Sequence, residues 1–156
     1  MDAFDPWAIV DALEKHRVNY VLIGALAGVL HGTDEITSGV DICPQLKDEN
    51  IERLRGAIAD LGGELDPAVL NSEPVTRVAT AHGELKVVPE PPGSSGWEDI
   101  RRGSTREALG RGVRSPVASV NDLGRLMTSL GRTDDVARLA VLRRLAELDH
   151  VRGIER

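Results

Sequence analysis

Asp41 is a single carboxylate in a setting that usually serves phosphate chemistry. It lies in the stretch YVLIGALAGVLHGTDEITSGVDICP, Tyr20 to Pro44. There an apolar run ends at Gly24, a short apolar helix follows, and a polar loop leads to a second apolar run. A glycine between strand and helix lets a phosphate reach unpaired backbone N–H groups where the helix dipole favours anions. The same glycine also suits a tight strand-to-helix turn, and both readings stand. A P-loop is excluded, because Gly32 is not followed by Lys and then Ser or Thr.

Other reactive types are scattered. His16, His31, His82 and His150 show no ligand spacing, and His31 at a helix end suits a bond to a terminal carbonyl. Cys43 follows Asp41 by two residues and could share its cleft, yet no neighbouring histidine marks it as a nucleophile; burial as a small hydrophobe explains it better. Ser94 and Ser95 could touch an anion or merely solvate a loop. Arg101 and Arg102 could border a cleft or form a solvated face, and Trp97 is suited to pin the proline loop to the body.

The elements that must position these groups follow from periodicity. Asp5 caps a first helix with Pro6 at its first position and Trp7, Ile9, Val10 and Leu13 on one face. Residues 19–24 read as a buried strand, ALAGVLHG as a helix closed by Gly32, and VDICP as a strand stopped by Pro44. Ile51, Leu54, Ile58 and Leu61 mark a third helix, capped by Asp48 or Asn50 and ended by Gly62-Gly63. Alternation on both sides of His82-Gly83 indicates a hairpin. Glu98 to Arg106 reads as a short helix, and residues 89–97 and 110–117 as loops. Two C-terminal helices follow: Ser119 or Asn121 caps the first, a turn comes at Gly131-Arg132-Thr133, and Leu139, Leu142, Leu145 and Leu148 line the second.

The expected class is therefore α/β (α+β), a small mixed β-sheet flanked by helices with a C-terminal helical hairpin. Residues 1–96 form the α/β core, and residues 97–156 a C-terminal helical part packed on the same domain. The length of 156 residues fits one domain. Aromatics make up only 3 %, which leaves little for base-stacking platforms. A net charge of −6 argues against non-specific DNA binding, although arginines cluster between residues 101 and 114. One cysteine allows no intrachain disulfide, no run is long enough for a membrane span, and the acidic MDAFDP start is unlike a signal peptide. A cytoplasmic location without membrane partners is expected, as a monomer or homodimer.

Four segments together carry a family resemblance: VLIGALAGVLHG, TSGVDICP, GELKVVPEPPGSSGWEDIRR and NDLGRLMTSLGRTDDVARL. They resemble the minimal nucleotidyltransferases of the polymerase-β-like superfamily, in particular the bacterial toxin–antitoxin relatives of the AbiEii/MenT-like group. The likeness runs over roughly residues 7–148. It implies a Mg²⁺-dependent transfer of a nucleotidyl group from an NTP to an RNA end or another hydroxyl or phosphate acceptor. Gly24-Ala25 stands where that family has Gly-Gly or Gly-Ser. The nucleotide-binding set it implies is Gly24, Ala25, Ser38 and Arg132.

The departures bear on chemistry. Where the family carries Asp-x-Asp on the second strand, this chain has Gly39-Val40-Asp41; where it carries a third carboxylate, this chain has Leu85-Lys86-Val87. A lysine at the C-terminal helix is replaced by Met127, while Asp122, Arg132 and Asp135 remain. Two carboxylates two positions apart on a strand share a face and hold Mg²⁺ against a triphosphate. Asp41 alone supplies one metal ligand, and an ammonium at Lys86 repels a cation. Glu84 shares the face of Lys86 and is a stand-in acid, with Asp34 or Glu35 arriving from the loop. Asp41 and Lys86 could otherwise form a buried ion pair, leaving a cationic cleft that grips phosphate. The expected function is a nucleotidyltransferase-fold protein with a degenerate acidic site, binding a nucleotide or a cognate toxin or antitoxin protein. Active NMP transfer with Mg²⁺ and NTP is the alternative, with Asp41, Glu84 and Lys86 at the catalytic position and Asp41 on the metal.

Overall fold

A computed structural model describes residues 4–35 and 37–130, together with positions 141, 144, 145 and 148. Helix α1, Pro6–Lys15, begins as its sequence dictates: the Asp5 carboxylate accepts from Ala8 N at 3.0 Å, and Pro6 opens the first turn. Ile9, Val10 and Leu13 are buried. Trp7 is only half-buried. Its indole N–H donates to Leu109 O at 2.9 Å, and the Arg111 guanidinium lies 3.8 Å over its ring.

Strand β1, Tyr20–Ile23, is buried at every position. It runs into α2, Gly24–His31, which stops at Gly32 in the left-handed conformation. Strand β2, Gly39–Pro44, leads to α3, Asp48–Asp60. Neither Asp48 nor Asn50 caps α3; Lys47 holds the cap position with no side-chain bond. Asn50 is buried instead, because its amide serves three backbone groups: Asn19 N, Asn19 O and Gln45 O. A single turn, α4 at Val69–Ser72, precedes the hairpin of β3, Thr76–Thr80, and β4, Gly83–Val87.

The segment after residue 96 departs most from expectation. Helix α5 spans only Trp97–Arg101, and Arg106 lies in strand β5, Thr105–Gly110. Residues 113–117, expected as loop, are strand β6, Val113–Val117. Gly110, Arg111 and Gly112 all take positive φ and reverse the chain between the two strands. The alternating burial of Ser115 and Val117 then turns one side of β6 inward. Pro116 is tolerated because β6 pairs with β1 only at Leu22–Val117.

The sheet has six strands in the order β3-β4-β2-β1-β6-β5. β1 is antiparallel to β2 and parallel to β6, and β2 is parallel to β4. The sheet is thus mixed, flanked by helices, and built from residues on both sides of position 96. Helix α6, Val120–Leu130, starts at Ser119, whose hydroxyl accepts from Asp122 N at 3.0 Å. The expected turn at Gly131–Thr133 and most of the second C-terminal helix, Leu139 and Leu142 included, lie outside the described residues. Leu145 packs against the core, whereas Leu148 is exposed. Among the described residues no helix is long and apolar enough to cross a membrane.

Candidate functional site

Strand alternation divides β2 and β4 between two faces. Val40, Ile42, Leu85 and Val87 are fully buried. Gly39, Asp41, Glu84 and Lys86 point to the other side. Register then sets a row across four strands: Ile23 opposite Asp41, Asp41 opposite Lys86, and Lys86 opposite Arg77. The next row holds Gly39, Glu84 and Ala79. Where three carboxylates were the family expectation, the first row presents one carboxylate, Asp41, followed by two cations, Lys86 and Arg77, and the next row adds Glu84.

Helix α2 begins directly above this row. Gly24 adopts φ +74°, and a Cβ there would collide with the Asp41 carboxylate. The glycine therefore makes the tight turn, and its missing side chain leaves room for the Asp41 carboxylate beside the start of α2. Gly28, one turn on, leaves room for Glu35, whose Oε2 would come within 2.7 Å of a Cβ there. Thr33 donates to the same Glu35 carboxylate at 3.2 Å.

These groups line a cleft of about 430 Å³. Its polar floor consists of Gly24, Ala25, Gly28, Glu35, Asp41, Lys86 and Arg77. Val75, Val88, Pro91, Pro92, Leu123, Leu126 and Met127 form its apolar wall. Among the described residues, neither Asp41 nor Lys86 has a hydrogen bond or ion pair within the protein. The buried Asp41–Lys86 ion pair expected from sequence is thus corrected to an electrostatic pairing of strand neighbours. Arg77 instead pairs with Glu84 at 3.0 Å, and that half-exposed bridge is worth little.

Burial pushes the Asp41 carboxyl above its ordinary value of 3.8; Lys86 opposes this, Glu84 adds to it, and Arg77 opposes it. The folded chain thus disfavours the charged form. Stability from this group is fully present below the ordinary carboxylate value and is lost as pH rises through the elevated folded value. Asp41→Asn, which keeps the shape and removes the charge, is expected to melt above the parent at pH 7, by about 2–4 °C for each kcal/mol relieved. The gap should close below about pH 4 in thermal melts across pH; a gap independent of pH would show that charge burial is not its cause.

The other sequence candidates are placed plainly. Ser38 is exposed in the bend before β2 and is not part of the cleft lining, Asp34 is exposed, and Arg132 and Asp135 lie outside the described residues. Cys43 is buried, its thiol pushed up to about 12 by burial, and its Sγ faces Pro89 O at 3.6 Å. Ser94 is absorbed by its own loop, donating to Pro91 O at 2.7 Å and accepting from Gly96 N. His31 contacts Ala118 O at 2.8 Å, tying α2 to the end of β6 rather than satisfying its own helix. Arg101 pairs with Glu98 and stacks 5.1 Å over Trp97, which packs on the core.

Two features were missed from sequence. Arg77 belongs to the row because the turn pairs Thr80 with Gly83, which sets Arg77 opposite Lys86. The second is a lock on α6: Arg125 is bidentate to Asp99 at 2.9 and 3.2 Å and also reaches Asp122 at 3.1 Å. It fixes the helix that supplies Leu123, Leu126 and Met127 to the apolar wall.

Mg²⁺ requires several oxygen ligands. Gly39 offers none, Lys86 is cationic, and among the described residues no group of three His, Cys, Asp or Glu side chains gathers to hold an ion. The three-carboxylate metal arrangement of the resembling family does not fit this chain.

Solved structures supply the comparison. A Thermotoga maritima protein, provisionally named a nucleotidyltransferase, aligns with a TM-score of 0.56 at 16% identity, over 87% of this chain and 88% of its own. The lincosamide antibiotic adenylyltransferase LnuA, with lincomycin bound, aligns at 0.55 and 15% identity, over 78% and 85%. The antibiotic-resistance factor ANT(2'')-Ia aligns at 0.51 and 15% identity, over 94% of each chain. The chain has a nucleotidyltransferase fold. No protein-family model matches it, and no curated protein does either. In this fold the cleft under α2 has no group of three His, Cys, Asp or Glu side chains among the described residues.

Proposed function

We propose that the chain binds a nucleoside triphosphate in the cleft beneath α2 without needing Mg²⁺, with weak or no nucleotidyl transfer. The observation that carries this is Lys86: half-buried, facing the cleft, and without a hydrogen bond or ion pair among the described residues. A lysine that makes no hydrogen bond, beside a partly desolvated carboxylate that makes none either, keeps all its N–H donors open to a phosphate. Arg77 extends the cationic row, and the N–H groups opening α2 at Gly24 and Ala25 add neutral donors. In this arrangement Lys86 stands in for the charge that a metal supplies elsewhere in the fold.

One observation favours a second reading. Glu35 lies in the cleft with Asp41, so two carboxylates could hold one Mg²⁺ against substrate phosphates. The chain would then be an active, toxin-like enzyme moving NMP to RNA or another hydroxyl or phosphate acceptor, beside a cognate partner protein.

Thermal melting with ATP in EDTA tests the first reading. At a hundredfold excess over Kd, binding to the folded state stabilises it by about 2.7 kcal/mol, a shift of several degrees. No shift in EDTA, with a shift restored by Mg²⁺, would favour the second reading.

A further inference from the structure

Helix α6 presents two stripes of side chains, and one of them lines the cleft. Leu123, Leu126 and Met127 follow one another at helical spacing and form part of the apolar wall. Asp122, Arg125 and Ser129 repeat that spacing on a second stripe, turned by about 120° from the first at about 100° per residue. The second stripe meets the segment from Pro91 to Arg101, which supplies Pro91 and Pro92 to the same wall.

Arg125 makes that meeting directional. Its two terminal nitrogens donate to the two carboxylate oxygens of Asp99 at 2.9 and 3.2 Å, and one of them also to Asp122 at 3.1 Å. Asp99 in turn accepts from Ser95 N at 3.0 Å, so one carboxylate ties the loop to α6. Its neighbour Ile100 is fully buried, which anchors α5 to the core. The loop is closed on itself, since Ser94 donates to Pro91 O through both its N–H and its hydroxyl. Gly93 completes the seat: with φ +91° and no side chain, its backbone lies against Ser129 and the Arg125 carbonyl. A planar fork on a carboxylate fixes angle as well as distance, which a single ammonium does not. Arg125 holds this geometry although its Nε is buried without a partner among the described residues.

We infer that Arg125 is a positioning residue for the nucleotide cleft: through Asp99 it sets the rotation of α6, and with it the place of the wall against the nucleoside. This inference rests on the nucleotide reading above and goes on to how its site is held. With the phosphates on the polar floor at Lys86, Arg77 and the start of α2, the nucleoside lies against the apolar wall. Without the lock α6 turns about its axis and withdraws Leu123, Leu126 and Met127 from the ligand. Lys86 and Arg77 lie on β4 and β3, strands that the lock does not touch.

The test is calorimetric titration of the full chain with ATP and with inorganic triphosphate, in EDTA, at a temperature where ligand-free melts show every variant folded. Arg125→Met should weaken ATP by about 3- to 20-fold, the loss of some tens of Å² of apolar contact, and leave triphosphate within about twofold. Asp99→Asn should act in the same direction, and the two changes together should lose less than the product of their separate factors. Arg125→Lys, which keeps the charge without the fork, should fall between parent and Arg125→Met, and it carries the same test if the methionine variant does not fold. Ile9→Val, a core change in α1 away from the cleft, should bind ATP as the parent does. Parent-like ATP binding by Arg125→Met would overturn the inference, as would equal losses of ATP and triphosphate, or an equal ATP loss in Ile9→Val. A parent that binds neither ATP nor triphosphate would overturn the nucleotide reading and this inference with it. A parent that binds both, with no split between them in the variants, would overturn this inference alone.

Discussion

Lys86→Met should lower Mg²⁺-free NTP affinity by about 10- to 100-fold, the value of a charge-assisted hydrogen bond to phosphate. The substitution keeps most of the apolar stem of the side chain and removes the ammonium group. Lys86 bonds no described residue but offsets the buried charge of Asp41, so the variant is expected to melt somewhat below the parent at pH 7, and binding is compared at a temperature where ligand-free melts show both folded. Arg77→Met should cost less, because Arg77 is exposed and already shared with Glu84. The sign of the Lys86 effect separates the two readings. If Asp41 and Glu35 hold Mg²⁺, removing the neighbouring ammonium strengthens metal-dependent binding. If Lys86 itself grips phosphate, the same change weakens Mg²⁺-free binding by that factor.

Gly39→Asp should not rebuild a metal site. A Cβ at position 39 would lie 2.8 Å from the backbone carbonyl oxygen of Glu84 on the adjoining strand. A carbonyl in a parallel ladder cannot swing aside as a side chain can. Overpacking of this kind costs about 1–3 kcal/mol, a fall in Tm of about 2–12 °C for a domain of this size. Gly39→Ala should show nearly the same fall, since the obstruction begins at Cβ and not at the carboxylate. A Gly39→Asp protein that melts like the parent and gains Mg²⁺-dependent transfer would show that the strands part freely. The missing carboxylate is thus matched by a closer approach of β2 and β4 at this row.

Much of the fold was legible because its elements carry strong local signals. The Asp5-Pro6 start, the all-apolar β1, the break at Gly24 and the His82-Gly83 reversal each follow from one residue's backbone or capping chemistry. The β5–β6 hairpin was not legible. Gly110, Gly112 and Pro116 look like breakers in isolation, and only pairing with β1 gives β6 its place. Asn50 was misread for a similar reason: its partners Asn19 and Gln45 are distant or non-helical, so capping statistics had no access to them.

The site was legible in composition but not in arrangement. Gly24, Ala25, Asp41 and Lys86 do meet in one cleft, as strand alternation requires. That Asp41 and Lys86 stand side by side without bonding is a matter of side-chain reach, which register alone does not set. Glu84 turned outward to Arg77, whereas Glu35 entered the cleft over Gly28. The apolar wall comes from three separate segments, and no local pattern joins Val75 to Pro91 or Met127.

Calorimetric titration of ATP into the protein, first in EDTA and then with millimolar Mg²⁺, tests the central claim most directly. Binding of equal strength in the two buffers is expected if Lys86 and Arg77 replace the metal. Binding seen only with Mg²⁺ would contradict it, and would mean that Asp41 and Glu35 form a working metal site after all.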